Sequence, residues 1–466
     1  MLFSSLEFLY LFLPMTLILY FVFPPVARNA VLLIVSLIFY GFGEPIYVFL
    51  MAFTIGADYF FGLAIAKRVQ KGASPKRLLW CAISFNLSLL GFFKYYDFLA
   101  STVGVSTLGL SLPIGISFYT FQALSYVIDV ARSEVRAQKN LVTFGTYVTL
   151  FPQLIAGPIV RYSEVESQLA RRKHTMARAA DGISLFCVGL AKKVLLANPA
   201  GELCESLLLR LAEPTGRTVL GAWLWLVLFA AQIYFDFSGY SEMAVGLGRI
   251  LGFEFPTNFR YPYLSRSITE FWRRWHITLS AWFREYVYIP LGGNRRGLAR
   301  TLLNMLVVWS LTGLWHGAGW NFILWGLYYF LLLAAERLFL GRLLERIPRV
   351  LRHAYALFFI LIGWVFFAHT DISQALAYLG TMLGVYGNAV SAGEIYELSR
   401  NLLPLGIMLL GCTPLPRRLF WRFVGDAPAL PLSRRIAVTL VALFTLVLST
   451  AYLADAAYNP FLYFRF

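Results

Sequence analysis

The chain predicts an all-α, polytopic membrane fold, and three observations carry that expectation. Hydrophobic residues make up 59% of the 466-residue sequence and charged residues 14%, against roughly 25% charged in ordinary soluble domains. Mean hydropathy is +0.66. The formal net charge is +16, and its Lys and Arg residues collect in a few segments between apolar runs, as cytoplasmic loops do. The charge therefore reports topology, and it does not call for a nucleic-acid partner.

The elements follow in chain order. The run from Phe8 to Ala27 is long enough to span and has no basic segment before it, so it reads as a retained anchor. Arg28, the basic stretch from Lys67 to Arg77 and that from Ala131 to Lys139 are separated by pairs of spans. Placing all three inside puts the N-terminus outside. Leu141 to Val160 is uncharged, flanked by basic segments and interrupted by Pro152, Gly157 and Pro158. It reads as a re-entrant segment, tolerated at membrane depth only if protein surrounds it.

Spans are expected near residues 182–199 and 218–235, and then a second irregular stretch from Phe235 to Glu242, FDFSGYSE. Further spans are expected near 354–368, 401–413 and 436–454, for roughly 10 to 12 crossings in all. That count puts Phe466 outside. With no soluble domain, repeat or linker, residues 1–466 read as one transmembrane domain with a cytoplasmic basic element at 253–300 and an extracytoplasmic tail at 455–466.

The basic element holds eight Arg against three Glu. In it Ser267 and Glu270 make a capping-box pattern, from which one helix is expected to run to Pro290. Phe271, Trp275, Leu279, Trp282 and Tyr286 would share one face, and Arg273, His276, Ser280 and Arg284 another, as in an interfacial amphipathic helix. The arginines of this segment, Arg273, Arg274 and Arg284, suit either anionic lipid headgroups or a phosphate-bearing substrate. His276 is an orienting residue or a catalyst. Lys192 and Lys193 snorkel to the interface or line a polar cavity.

His316 lies in a 35-residue stretch, Thr301 to Ala335, without Asp, Glu, Lys or Arg. An imidazole there must find its hydrogen bonds inside the protein, and it titrates near neutrality, which suits proton transfer. The alternative is a packed histidine bonded to a neighbouring helix. Gly313, Gly317 and Gly319 announce close backbone approach around it, which points to a channel. The four cysteines show no CxxC or metal spacing, so neither a disulfide framework nor a metal site is expected. There is no P-loop and no GxGxxG, and FSGYSE lacks the order of a nucleophile elbow. A transporter predicts paired repeats, which are not evident. One concentrated polar site favours an enzyme.

The string from Asn258 to Arg296, followed by GLWHGAGWNFILWG from Gly313 to Gly326, resembles the membrane-bound O-acyltransferase family, and more narrowly its bacterial alginate O-acetyltransferase branch. Leu112 to Val130, Phe151 to Arg161, Tyr234 to Gly248 and the ending NPFLYFRF match that branch as well. Glu242 and Glu285 stand where branch members often carry Asp, which keeps the charge. The resemblance implies a ring of helices around a central tunnel in the inner membrane, and a bilayer thinned over the site. It assigns His316 as the catalytic residue and His276 as its usual second histidine.

It further implies acetyl transfer from cytoplasmic acetyl-CoA, used as a substrate with no permanently bound cofactor, to an extracytoplasmic polysaccharide through a secreted or membrane-tethered SGNH-type partner. Arg273, Arg274, Arg284, Lys192 and Lys193 are then candidates for the donor's phosphates. Asn321 is a weak oxyanion candidate, and Tyr463, on a tether long enough to fold back toward His316, is a candidate acyl carrier. Cellulose or peptidoglycan acetylation, D-alanyl transfer and lipid or protein acylation are the alternative enzymatic readings. A transporter is the alternative outside enzymes.

Overall fold

The computed structural model describes residues 1–213, 216–424, 432–455 and 458–462, and among them helix dominates. Seven helices are long and apolar enough to cross a membrane, from Tyr47–Gln70 to Arg435–Asp455. Phe8–Val22, Arg28–Gly43 and Leu402–Gly411 are apolar but shorter, below the roughly 20 residues that a perpendicular crossing needs. The first run thus stops short of its expected end at Ala27. Its helix ends at Val22, just before Pro24 and Pro25, where proline restricts the preceding residue and removes a donor.

The chain divides into two compact units. The first comprises Met1–Phe186 and Tyr240–Thr257. An aromatic cluster fills it, with Phe3 stacked on Tyr240 at 4.5 Å between ring centroids and Phe12 edge-on to Phe151 at 5.5 Å. Buried polar groups pair across it: Asn86 donates to Asp58 at 2.7 Å, and the Tyr20 hydroxyl to the Leu251 carbonyl at 2.8 Å. The segment with the interrupting prolines is broken as its sequence suggests. Leu141–Thr149 is capped by the Asn140 side chain, Leu150 leaves the helix, and Phe151–Leu154 makes a single turn. Residues 143–160 are buried throughout, so protein encloses this irregular backbone.

The second unit comprises Cys187–Gly239 and Asn258–Phe466. Here the structure corrects two sequence expectations. FDFSGYSE is not irregular, because it lies inside the unbroken 32-residue helix Val219–Ile250. Gly239 serves packing instead of a turn: a Cβ there would meet the Gly189 carbonyl oxygen at 2.7 Å. Nor does a single helix run from Ser267 to Pro290. Ile268–Trp272 is followed by a turn, then by Ile277–Phe283 and the wider π turn Arg284–Tyr288. The break falls at His276, whose φ of 44° is left-handed, a region that side chains other than glycine rarely enter.

The uncharged stretch around His316 is a helical hairpin. Gly297–His316 ascends, Gly317 and Gly319 carry the extended turn, and Trp320–Ala335 returns. Close approach between its arms explains Gly313, where a Cβ would overlap the Phe322 carbonyl. Gly313 thus serves the packing of the two arms, and Gly317 and Gly319 the turn between them.

Candidate functional site

His316 is the last residue of its helix and is 6% exposed. Three aromatic rings box its imidazole nearly edge to face: Trp315 and Trp325 at 5.0 Å and Phe367 at 5.4 Å between centroids. The ring lines a small cavity of about 20 Å³, room for about one water. Asp236, Trp275, Trp364 and Leu462 contribute to the same wall. A titratable ring in a small, nearly dry, aromatic chamber can take up a proton from a group presented to it, and water is kept from competing.

The second histidine is placed by a different device. His276 is 1% exposed, although its position in a regular helix would have put it on the polar face. The left-handed residue turns the chain there, and the side chain goes inward to lie 4.8 Å from Phe237 and 5.8 Å from Trp315, ring to ring. Asn258 holds the kink. Its main-chain carbonyl accepts from the Ile277 N–H at 3.0 Å, and its Oδ1 accepts from the Thr278 N–H at 3.2 Å and lies 3.2 Å from His276 Nδ1.

Because a backbone N–H can only donate, the Asn258 atom is fixed as oxygen, and His276 Nδ1 must carry the proton. Its Nε2 is then a buried lone pair, with no hydrogen-bond partner among the described residues. Burial pushes the His276 pKa down to about 3. This ring therefore stays neutral across the physiological range and is a weak proton acceptor. Trp315 touches both histidines, so a shift of one ring is felt by the other.

The expected aromatic face is present: Phe271, Trp275, Leu279, Trp282 and Tyr286 are all buried. It packs on protein, with Trp275 4.9 Å from Trp364 and Trp272 4.9 Å from Tyr329. Of the arginines, Arg273 is exposed. Arg274 pairs with Glu270 at 2.7 Å and donates to the Arg260 carbonyl. Arg284 pairs with Glu285 at 2.9 Å but keeps 70% of its side chain exposed. None of the three lines the His316 cavity. Asn321 is buried and donates to the Phe366 carbonyl at 3.4 Å; it too is absent from the cavity wall. A larger polar cavity of about 490 Å³ lies beside this segment. Its lining includes Arg266, Arg337 and Arg352 together with Glu270, Glu336 and Glu345, so its charges balance.

Lys192 is half-buried, whereas Lys193 is 3% exposed and paired with Asp236 at 2.9 Å. Lys193 also donates to Asn198 Oδ1 at 2.8 Å and to the main-chain carbonyl of Pro460. The Leu462 N–H donates to the other Asp236 oxygen at 2.7 Å, and Asn198 to Asn459 at 3.2 Å. The chain's last described residues are thereby bound in, with Phe461 and Leu462 buried. Tyr463 lies outside the described residues.

The sequence does not single out Asp236 or Asn258, and only Asp236 leaves a signal in it. A carboxylate inside an apolar run invites the same suspicion as His316, but FDFSGYSE had been read as loop. Asn258 becomes visible only once the kink at His276 is known. Among the described residues, no cluster of three or more His, Cys, Asp or Glu could hold a metal.

Comparison with known proteins shows the family. Across the full length of both chains the protein is 37% identical to the "Probable alginate O-acetylase AlgI" of Pseudomonas putida. It is 41% identical to that of Azotobacter vinelandii over 80% of this chain and 76% of the relative. It is 34% identical to the "Peptidoglycan O-acetyltransferase" of Helicobacter pylori over 83% of this chain and 80% of the relative. Residues 118–372, which contain both histidines and Asp236, match the model of the membrane-bound O-acyltransferase family. With a polytopic helical fold and a buried histidine in an aromatic chamber already in view, the chain belongs to that family and is a membrane-bound O-acyltransferase.

Proposed function

We propose that the protein transfers acetyl groups from acetyl-CoA on the cytoplasmic side of a bacterial inner membrane toward an extracytoplasmic polysaccharide, with an alginate-type polymer as the end acceptor. The observation that carries the reading is the His316 imidazole lining a small, largely aromatic cavity whose wall also includes Leu462 of the C-terminal tail. His316 is the general base: it takes the proton of the attacking hydroxyl, whose oxygen adds to the thioester carbonyl. The C–S bond then breaks, and the thiolate of coenzyme A leaves and is protonated. Exposed Arg273 and Arg284 bind the donor's phosphates, since a pair such as Arg284–Glu285 at the surface is weak enough to be exchanged for phosphate.

Tyr463, which follows Leu462 directly, is the hydroxyl we assign to the first transfer. Its aryl acetate would be a reactive acyl donor: a serine of an SGNH-type partner adds to the acetyl carbonyl, the bond to the phenol oxygen breaks, and the tyrosine phenolate leaves and is reprotonated. Full-length relatives with alginate acetylation in their names support the choice of polymer, and the peptidoglycan relative makes peptidoglycan the second candidate.

The test uses purified protein with acetyl-CoA labelled in the acetyl group. Release of free coenzyme A and a mass increment of one acetyl group on the C-terminal peptide are expected. Tyr463→Phe removes only the oxygen, so the increment and polysaccharide acetylation in cells should both disappear. Undiminished polysaccharide acetylation in that variant would show that the tail only anchors. Absence of any acetyl-CoA turnover that depends on His316 would sink the donor assignment.

A further inference from the structure

We infer that the buried Lys193–Asp236 pair is a latch that grips the C-terminal tail by its main chain and fixes its register beside the His316 cavity. Two charged side chains in the interior of a membrane protein are costly to bury, and here both are spent on the tail. The Lys193 ammonium donates to the carbonyl of Pro460, and an Asp236 oxygen accepts from the N–H of Leu462. Those two groups flank Phe461. A residue in a parallel β-sheet bonds its neighbour in the same pattern, through the carbonyl of the preceding residue and the N–H of the following one. The ion pair therefore substitutes for a neighbouring strand, with charge-assisted bonds that are stronger than neutral ones.

Three further contacts agree with a built seat. Asn198, itself 1% exposed, donates to the Tyr458 carbonyl and to Asn459 Oδ1 and accepts from Lys193. Pro460 contributes a carbonyl and has no N–H left to satisfy. Leu462, next to the gripped N–H, lines the cavity that His316 lines. Since the latch reads backbone atoms, it sets position and leaves chemistry to whatever side chain follows Leu462. Lys193 and Asp236 are positioning residues in this scheme. Their part in transfer rests on the acetyl-transfer reading above, and the docking itself does not.

The experiment reads docking separately from reaction. Phe461→Cys, in a full-length chain with exposed Cys81 replaced by Ser, reports tail burial through its rate of labelling by a maleimide. Leu462→Pro removes the N–H along with the Leu side chain and constrains the local backbone, whereas Leu462→Ala removes the side chain and keeps the N–H. Labelling should accelerate at least about tenfold with Leu462→Pro, the factor expected for losing a hydrogen bond to a charged group. It should change by less than about threefold with Leu462→Ala. The double variant Lys193→Leu with Asp236→Leu leaves no unpaired charge buried, so it should keep its melting temperature while its tail labels at least about tenfold faster and onward acetyl transfer falls in proportion.

His316→Ala with the latch intact should label as slowly as its parent. Equal rates for Leu462→Pro and Leu462→Ala, or a slow-labelling double variant, would overturn the latch. Labelling as expected in protein that moves no acetyl group would overturn the functional reading and leave the latch standing.

Discussion

His316 and His276 are both buried and both lie against Trp315, yet the structure treats them differently. His316 ends a helix that carries no charged residue after Arg300, and its ring lies among aromatic rings and lines a cavity. His276 sits in a basic segment, and a left-handed kink turns it inward, where Asn258 fixes its tautomer. Aromatic rings surround the first, and Asn258 holds the second at Nδ1. A ring that lines a cavity is placed to exchange a proton with a group presented there, whereas one held through Nδ1 and kept neutral by burial is suited to orienting a neighbour.

The largest effect that would break this division comes from replacing each ring. His316→Ala should lower acetyl-CoA turnover by at least about 100-fold, the lower range for losing a general base, with expression and melting temperature nearly unchanged. His276→Ala should have an intermediate effect, about tenfold, as expected of a group that positions rather than transfers the proton. Comparable losses in both would erase the distinction. Rates measured at saturating donor decide it.

Asn258→Ala tests whether the kink is what matters. It leaves the Thr278 N–H and the His276 Nδ1–H without their acceptor in a buried place, a cost of about 1 to 3 kcal/mol. A lower melting temperature is expected, with turnover reduced to the level of His276→Ala. Wild-type turnover in this variant would detach His276 from the reaction.

The basic segment sharpens the contrast from the outside. Replacing Arg273 and Arg284 together by Gln should raise the KM for acetyl-CoA severalfold with little change in kcat, because phosphate contacts are kept unchanged into the transition state. A drop in kcat at unchanged KM would place these arginines nearer the chemistry than their exposure suggests.

A separate effect is on stability against pH. The His276 pKa is about 3 in the folded protein against 6.5 for the free side chain. In the unfolded chain it binds a proton as pH falls through about 6.5, while the folded chain does not until about 3. Its contribution is thus complete above pH 6.5 and is lost progressively down to pH 3, by at most about 1.4 kcal/mol per pH unit. Thermal unfolding in detergent should show this decline, and His276→Asn should flatten it. An unchanged slope in His276→Asn would assign the decline to other groups.

Several features were legible before any coordinates. Composition and apolar runs dictated a polytopic helical protein, because a bilayer admits little else. The interrupted segment at 141–160 and the singular position of His316 followed from local rules about proline and unpaired polarity, whereas the aromatic residues of 271–286, expected on the interfacial face of one regular helix, pack on protein in a segment that breaks at His276. The same rules misjudged FDFSGYSE. Small residues signal a loop in isolation, but in a membrane helix they mark a place where another backbone comes close, and nothing local distinguishes the two.

What only the tertiary structure decided is where distant residues meet. Asn258 reaches 18 positions along the chain to His276, and Pro460 lies 267 positions from Lys193. Those pairings set which histidine faces a cavity, why the helix after Ser267 breaks, and that a carboxylate inside a span grips the chain's end. The sequence fixes the energetic need, since a buried charge or imidazole must be satisfied. Periodicity reports only neighbours a few residues away, so the partner that meets the need is chosen by packing.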